Sequence, residues 1–293
     1  ERSGFPGKFP GLDWKDDDTL VPQARQLLLG NAVGNPQVVK AYLKRLESRA
    51  SLHDSAMSDV ILCSPRLSTA LPRAFVDFLL KALLNPLPKE ELEERRKRYE
   101  AELRAVRDGG HRLSPFLTTG FTSTDDFRLD ELSIGEGRQQ FYPAHPRREP
   151  FKSLFEHAPD EAIRFVRCVA NHAIDAWREL HEIQNERRGT PIPIDLSFPW
   201  GEMRFWGGAR EYGMFRGTFS PHALTSGLMA MEAWGFDQID AGTTVDDLLA
   251  RVFPGQRNVA LLGIAVSWML YKPTASFACL PISTNPRVWN ADI

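Results

Sequence analysis

The 293-residue chain has few cysteines, almost no net charge and no long apolar run. Without a run approaching the roughly 20 apolar residues of a bilayer span, no transmembrane helix is expected. The opening ERSGFPGKFPGLDW lacks the apolar core of a secretory signal. Cys63, Cys168 and Cys279 are dispersed and odd in number. Such a set fits free thiols in a reducing cytoplasm better than a disulfide framework or a zinc site. A formal charge of -2 supplies no global field for nucleic acid or an anionic membrane surface. Catalytic signatures are missing too. There is no G-x-x-x-x-G-K-[ST] phosphate loop and no G-x-S-x-G nucleophile elbow. HEIQN has Asn185 where a zinc-binding HExxH needs its second histidine, and GEGRQQ at 135–140 lacks the third glycine of a dinucleotide loop. No catalytic, cofactor-binding or metal-ligating residue is therefore assigned. The absence of an initiator methionine and the ending at WNADI suggest a segment of a longer protein.

What is present is helical periodicity. Residues 1–18 read as an entry loop. LVPQARQLLLG is a short helix stopped by Gly30, and Asn35-Pro36 caps a second one with Val39, Tyr42, Leu43 and Leu46 on one face. Residues 51–64 are ambiguous. Leu71–Leu84 carries Phe75, Phe78, Leu79, Ala82 and Leu83 on a wide apolar face. Basic residues in 88–107 are matched by glutamates one turn upstream, as in Glu91/Arg95 and Glu94/Arg98, which describes a solvated helix rather than a phosphate-binding patch. Residues 111–149 form an irregular connection between an N-terminal helical lobe (1–110) and a C-terminal one (150–293). The second lobe opens with a helix near Pro150. A long helix from Pro159 toward Arg187 follows, with Ala162, Val166, Val169, Ala173, Trp177, Leu180 and Ile183 in register and Gly189 as its stop. Further helices are expected over 221–241, 244–252, 257–270 and 275–281, and a turn at Asn285-Pro286.

SPHALTSGLMAMEAWGFDQIDAG, residues 220–242, crowds serine, histidine and acid into one stretch. Helix construction explains it. Ser220 is the expected N-cap, Pro221 the first-turn proline and Gly242 the C-terminal stop. His172, in ANHAIDAW, reads as a packing histidine.

IPIDLSFPWGEMRFWGG is the one clear strand signal. Ile192, Ile194, Leu196 and Phe198 alternate with polar positions, Met203 and Phe205 alternate with Glu202 and Arg204, and Pro199-Trp200-Gly201 makes the turn of a hairpin over 192–206. Aromatics and arginines concentrate here. Trp200, Arg204, Trp206, Arg210, Tyr212, Phe215 and Arg216 are the candidate protein-contact residues, because arginine and exposed aromatics are the usual anchors of such surfaces. Trp200 and Trp206 are the two expected to be most exposed.

The stretch FYPAHPRREPFKSLFEHAPDEAIRFVRCVANHAIDAW resembles a motif of very large bacterial ATP-binding proteins, carried by Pro143, Ala144, Pro146, Pro150, Phe151, Leu154, Phe155, Pro159, Val166, Arg167, Asn171, His172, Ala173 and Trp177. SGLMAMEAWGFDQIDAG and the closing Pro286, Trp289, Asp292 and Ile293 are similar to further text of the same proteins. These are identified as STAND-type NTPases of the bacterial antiviral (AVAST-like) kind. The resemblance covers mostly residues 141–293 and implies the helical region that follows the NTPase. It implies ATP and magnesium for the parent protein, with no cofactor in this segment.

The expected architecture is all-α: an irregular, solenoid-like helical array with one small β-hairpin. The expected role is a non-catalytic scaffold or sensor that binds a protein partner or the parent's own NTPase core, in the cytoplasm, with no nucleic-acid or membrane partner. The alternative is an α-helical enzyme with a pocket between the lobes, using His111, His172 or His181 with loop carboxylates such as Asp130, Glu131 and Glu136.

Overall fold

A computed structural model of the chain describes residues 22–47, 54–87, 132–135, 139–183, 192–217, 220–273 and 276–292, with scattered helical positions between 89 and 104. In chain order the named helices are α1 (Pro22–Gly30), α2 (Pro36–Glu47), α3 (Asp54–Leu62), α4 (Ser64–Ala70), α5 (Pro72–Leu83), α6 (Phe151–His157) and α7 (Pro159–Ile183). Strands β1 (Ile194–Phe198) and β2 (Gly201–Phe205) come next. The chain then forms α8 (Ala209–Tyr212), α9 (His222–Asp240), α10 (Val245–Val252), α11 (Ala260–Tyr271), α12 (Leu280–Ser283) and α13 (Pro286–Asp292). The protein is thus all-α with one two-stranded antiparallel sheet among the described residues.

Helix α7 organises the packing. Pro159 opens it, and Asp160 and Glu161 in its first turn complement the positive end of the helix dipole. Ala162, Val166, Val169, Ala173, Trp177 and Leu180 are all buried, as their spacing requires. Phe165, Ala170 and Ile174 are buried as well. One apolar stripe is not enough for this helix, because α5, α6 and α9 all pack against it. One hydrophobic cluster runs from Leu29 in α1 to Val288 in α13. Helices α4 and α5 join it by packing on α6 and α7 respectively. A buried ion pair fastens α1 to α3: Arg25 Nε donates to Asp59 Oδ2 at 2.7 Å, and Gln26 Nε2 donates to Asp59 Oδ1 at 2.8 Å. The ambiguous stretch 51–64 therefore contains a helix, α3, held by a polar contact 34 residues away in sequence.

Other expectations change in detail. Ser220 is not the N-cap of α9. The helix has no side-chain cap, and the Ser220 hydroxyl pairs instead with Thr225 Oγ1 at 2.6 Å, inside the protein. Gly242 does end the helix. Its φ of 99° lies in the left-handed region that favours glycine, and the Thr243 N–H closes the end by donating to Gln238 O at 2.9 Å. Helix α11 starts three residues later than expected because Asn258 Oδ1 accepts from the Ala260 N–H at 2.9 Å and sets the first turn there. Of the helix expected over 275–281, residues 276–279 are not helical and the helix α12 is 280–283, while residue 275 lies outside the described residues. Asn285-Pro286 is a helix start and not a turn: Asn285 Oδ1 accepts from the Arg287 N–H at 3.0 Å and Pro286 takes the first position of α13. The expected stop at Gly189 and most of the acid–base side chains of 91–104 lie outside the described residues.

The three cysteines are free; Cys63 and Cys279 are buried and Cys168 is half-buried. Burial pushes the Cys63 thiol up, and the negative charge of Asp59 adds to the shift. Burial likewise raises the Cys279 thiol, opposed by the Ser276 hydrogen bond and assisted by Asp246. Thiolate, the reactive form, is therefore disfavoured at both sites. At neutral pH, alkylating reagent should label Cys63 and Cys279 only as the protein unfolds, which mass spectrometry of labelled peptides along a urea series will show. Rapid labelling of either in the native protein would contradict the packing described.

Candidate functional site

The hairpin is built by alternation. Ile194, Leu196 and Phe198 face the core and Asp195 and Ser197 face out. Leu196 pairs with Met203 and Ile194 with Phe205, which brings the apolar residues of both strands to one face. The reversal at Pro199-Trp200 needs glycine at 201, whose φ is 130°. Ile192 stands outside this pattern: it precedes β1 and is 72% exposed. On the outer face Asp195 and Arg204 form a two-pronged cross-strand pair, with Arg204 Nε donating to Oδ1 at 2.6 Å and Nη2 to Oδ2 at 3.0 Å. The Arg204 hydrogen bonds hold the Asp195 carboxyl below its ordinary range.

A two-stranded sheet is marginal alone and needs support. Below, Phe198 and Phe205 meet Phe253 edge-on at 5.5 and 5.6 Å between ring centres. At its end, the Trp206 N–H donates to Arg257 O at 2.7 Å and the Val259 N–H donates to Trp206 O at 3.0 Å. The loop 253–259 that receives Trp206 is itself clasped by one face of α7. Arg167 Nη1 donates to Pro254 O at 3.1 Å. Asn171 Nδ2 donates to Gly255 O at 2.7 Å, and Asn171 Oδ1 accepts from the Arg257 N–H at 2.8 Å. Asp175 accepts from Arg257 Nη2 at 2.7 Å, and buried Asn258 donates from Nδ2 to Ala170 O at 3.1 Å. Arg178 completes the stripe, its guanidinium 4.2 Å from the centre of the Trp206 ring. Positions 167, 171, 175 and 178 fall on one helix face because successive steps of four, four and three residues return to the same side. Arg167 and Asn171 thus hold the loop on which the hairpin rests.

Asn171→Ala removes both hydrogen bonds to the loop while leaving α7 a good helix former in its place. It should cost ~1–2 kcal/mol, two ordinary hydrogen bonds at a partly exposed site. Hydrogen exchange should speed up at Arg257, whose N–H loses its acceptor. Unchanged exchange there would contradict the clasp.

The seven expected contact residues divide. Trp200 is half-buried, stacked on Phe198 at 4.9 Å with its indole N–H directed to Met203 Sδ at 3.3 Å. Trp206 is half-buried under Arg178. Neither indole is as exposed as expected, because each has one face occupied by a neighbour. Arg204 is exposed and Arg210 half-buried. Arg216 is exposed but lies over the Phe215 ring and donates to Ser267 Oγ on α11, rather than joining the hairpin. Tyr212 and Phe215 are corrected: at 2% and 1% exposure they belong to the core. The reason is the 3-10 turn Gly213–Arg216, which folds back on α9 and α11 and drives Phe215 against Gly263. What remains as surface is the hairpin turn and its outer face, with Trp200, Arg204 and Trp206.

The described histidines of the alternative reading already have structural partners. His172 Nε2 lies 2.9 Å from Asn85 O and 3.2 Å from Ser133 O, joining α7 to the bridge between Leu84 and Ile134. His181 Nδ1 lies 3.0 Å from Trp177 O and its ring packs on the Trp177 indole. His222 meets the edge of Tyr142. His111, Asp130, Glu131 and Glu136 lie outside the described residues. Among the described residues no group of three or more His, Cys, Asp or Glu could hold a metal ion. No described helix is long and apolar enough to cross a membrane. No protein-family model matches the chain, and no curated protein sequence matches it significantly.

Proposed function

We propose that the chain is a non-catalytic helical scaffold or sensor segment of a larger bacterial STAND-type NTPase. In this reading it binds a protein partner, or the NTPase core of its own polypeptide, in the cytoplasm and in the setting of antiphage defence. ATP and magnesium belong to the parent protein. The observation that carries the reading is the hairpin: Trp200 and Trp206 each keep one ring face against the protein and remain half-buried, and Arg204 is exposed on the outer face. An aromatic held rigid on one side offers contact area at little entropic cost, which is how interface anchors work. The use of His172 in joining α7 to the Leu84–Ile134 bridge, and the packing of His181 on Trp177 within α7, support the same reading over the enzymatic one.

In-cell cross-linking followed by mass spectrometry tests it. Photoreactive residues placed at Glu202 and Ser197, on the outer face of the hairpin, should capture one protein or one region of the parent chain. The same probe at Lys44, on the outer side of α2, should not. Equal capture at all three positions, or capture at Lys44 alone, would overturn the assignment of the hairpin as the docking surface.

A further inference from the structure

We draw no further inference here: the strongest candidate, the exposed apolar side chains Leu270 and Tyr271 at the end of α11 with Phe277 just before α12 and Leu280 at its start, carries nothing because no feature of the structure shows what covers them.

Discussion

Gly235→Ala should destabilise the protein by roughly 1–3 kcal/mol, even though alanine is the better helix former. Gly235 lies inside α9, where intrinsic propensity alone favours the substitution by about 1 kcal/mol. The neighbour decides otherwise. A Cβ at 235 would lie 2.2 Å from atoms of the Trp268 indole, well inside contact distance. Trp268 is completely buried, and its Nε1 donates to Glu232 O on the same helix at 3.0 Å. The ring cannot turn away without losing that bond, so α9 and α11 must separate. The cycle with Trp268→Ala makes the prediction specific. Trp268→Ala alone should cost ~3–5 kcal/mol as a fully buried aromatic. In that background Gly235→Ala should become neutral or stabilising, because the ring it strikes is gone. Urea unfolding of the four proteins measures this. A stabilising Gly235→Ala in the wild-type background would show that the two helices are not in this contact.

Trp177→Ala should cost ~3–5 kcal/mol, the range for removing a large buried aromatic. The indole is 6% exposed in the buried face of α7. His181, one turn on, packs against it with ring centres 4.0 Å apart, so the substitution also removes a neighbour of that ring. Trp177→Phe keeps most of the apolar volume and should cost much less. If Trp177→Ala and Trp177→Phe melt alike, the indole does not fill the core and α7 is not its centre.

The elements whose signals are local were legible. The hairpin could be read because period-two alternation and a Pro-Trp-Gly reversal lie within a dozen residues. Six buried positions of α7 followed from spacing alone, whereas the burial of Phe165, Ala170 and Ile174 did not and the side chain of Ile183 lies outside the described residues; α5 was legible to within one residue at each end. Contacts across the sequence were not legible. Nothing local distinguishes Tyr212 and Phe215 from surface aromatics. Their burial depends on α9 and α11, which come later in the chain. Ser220 carried an N-cap signal, yet its hydroxyl found a better partner in Thr225, five residues on. The clasp on loop 253–259 joins residues more than 80 positions apart. Its sequence trace was the polar stripe Arg167, Asn171, Asp175 and Arg178 on an amphipathic helix, which periodicity could have flagged but could not assign to a partner.

The docking role of the hairpin is tested most directly by the affinity of the cross-linked partner, measured by calorimetry, for wild-type protein and for the Trp200→Ser/Trp206→Ser double variant. The thermal midpoint and far-UV spectrum of the double variant establish that it is folded, and an Arg216→Ser variant provides a control away from the hairpin. The account predicts that the double variant stays folded and binds at least tenfold more weakly, about 1.4 kcal/mol, whereas Arg216→Ser binds like wild type. A folded double variant with wild-type affinity would contradict it, and so would a double variant that unfolds, because the two indoles would then be parts of the core.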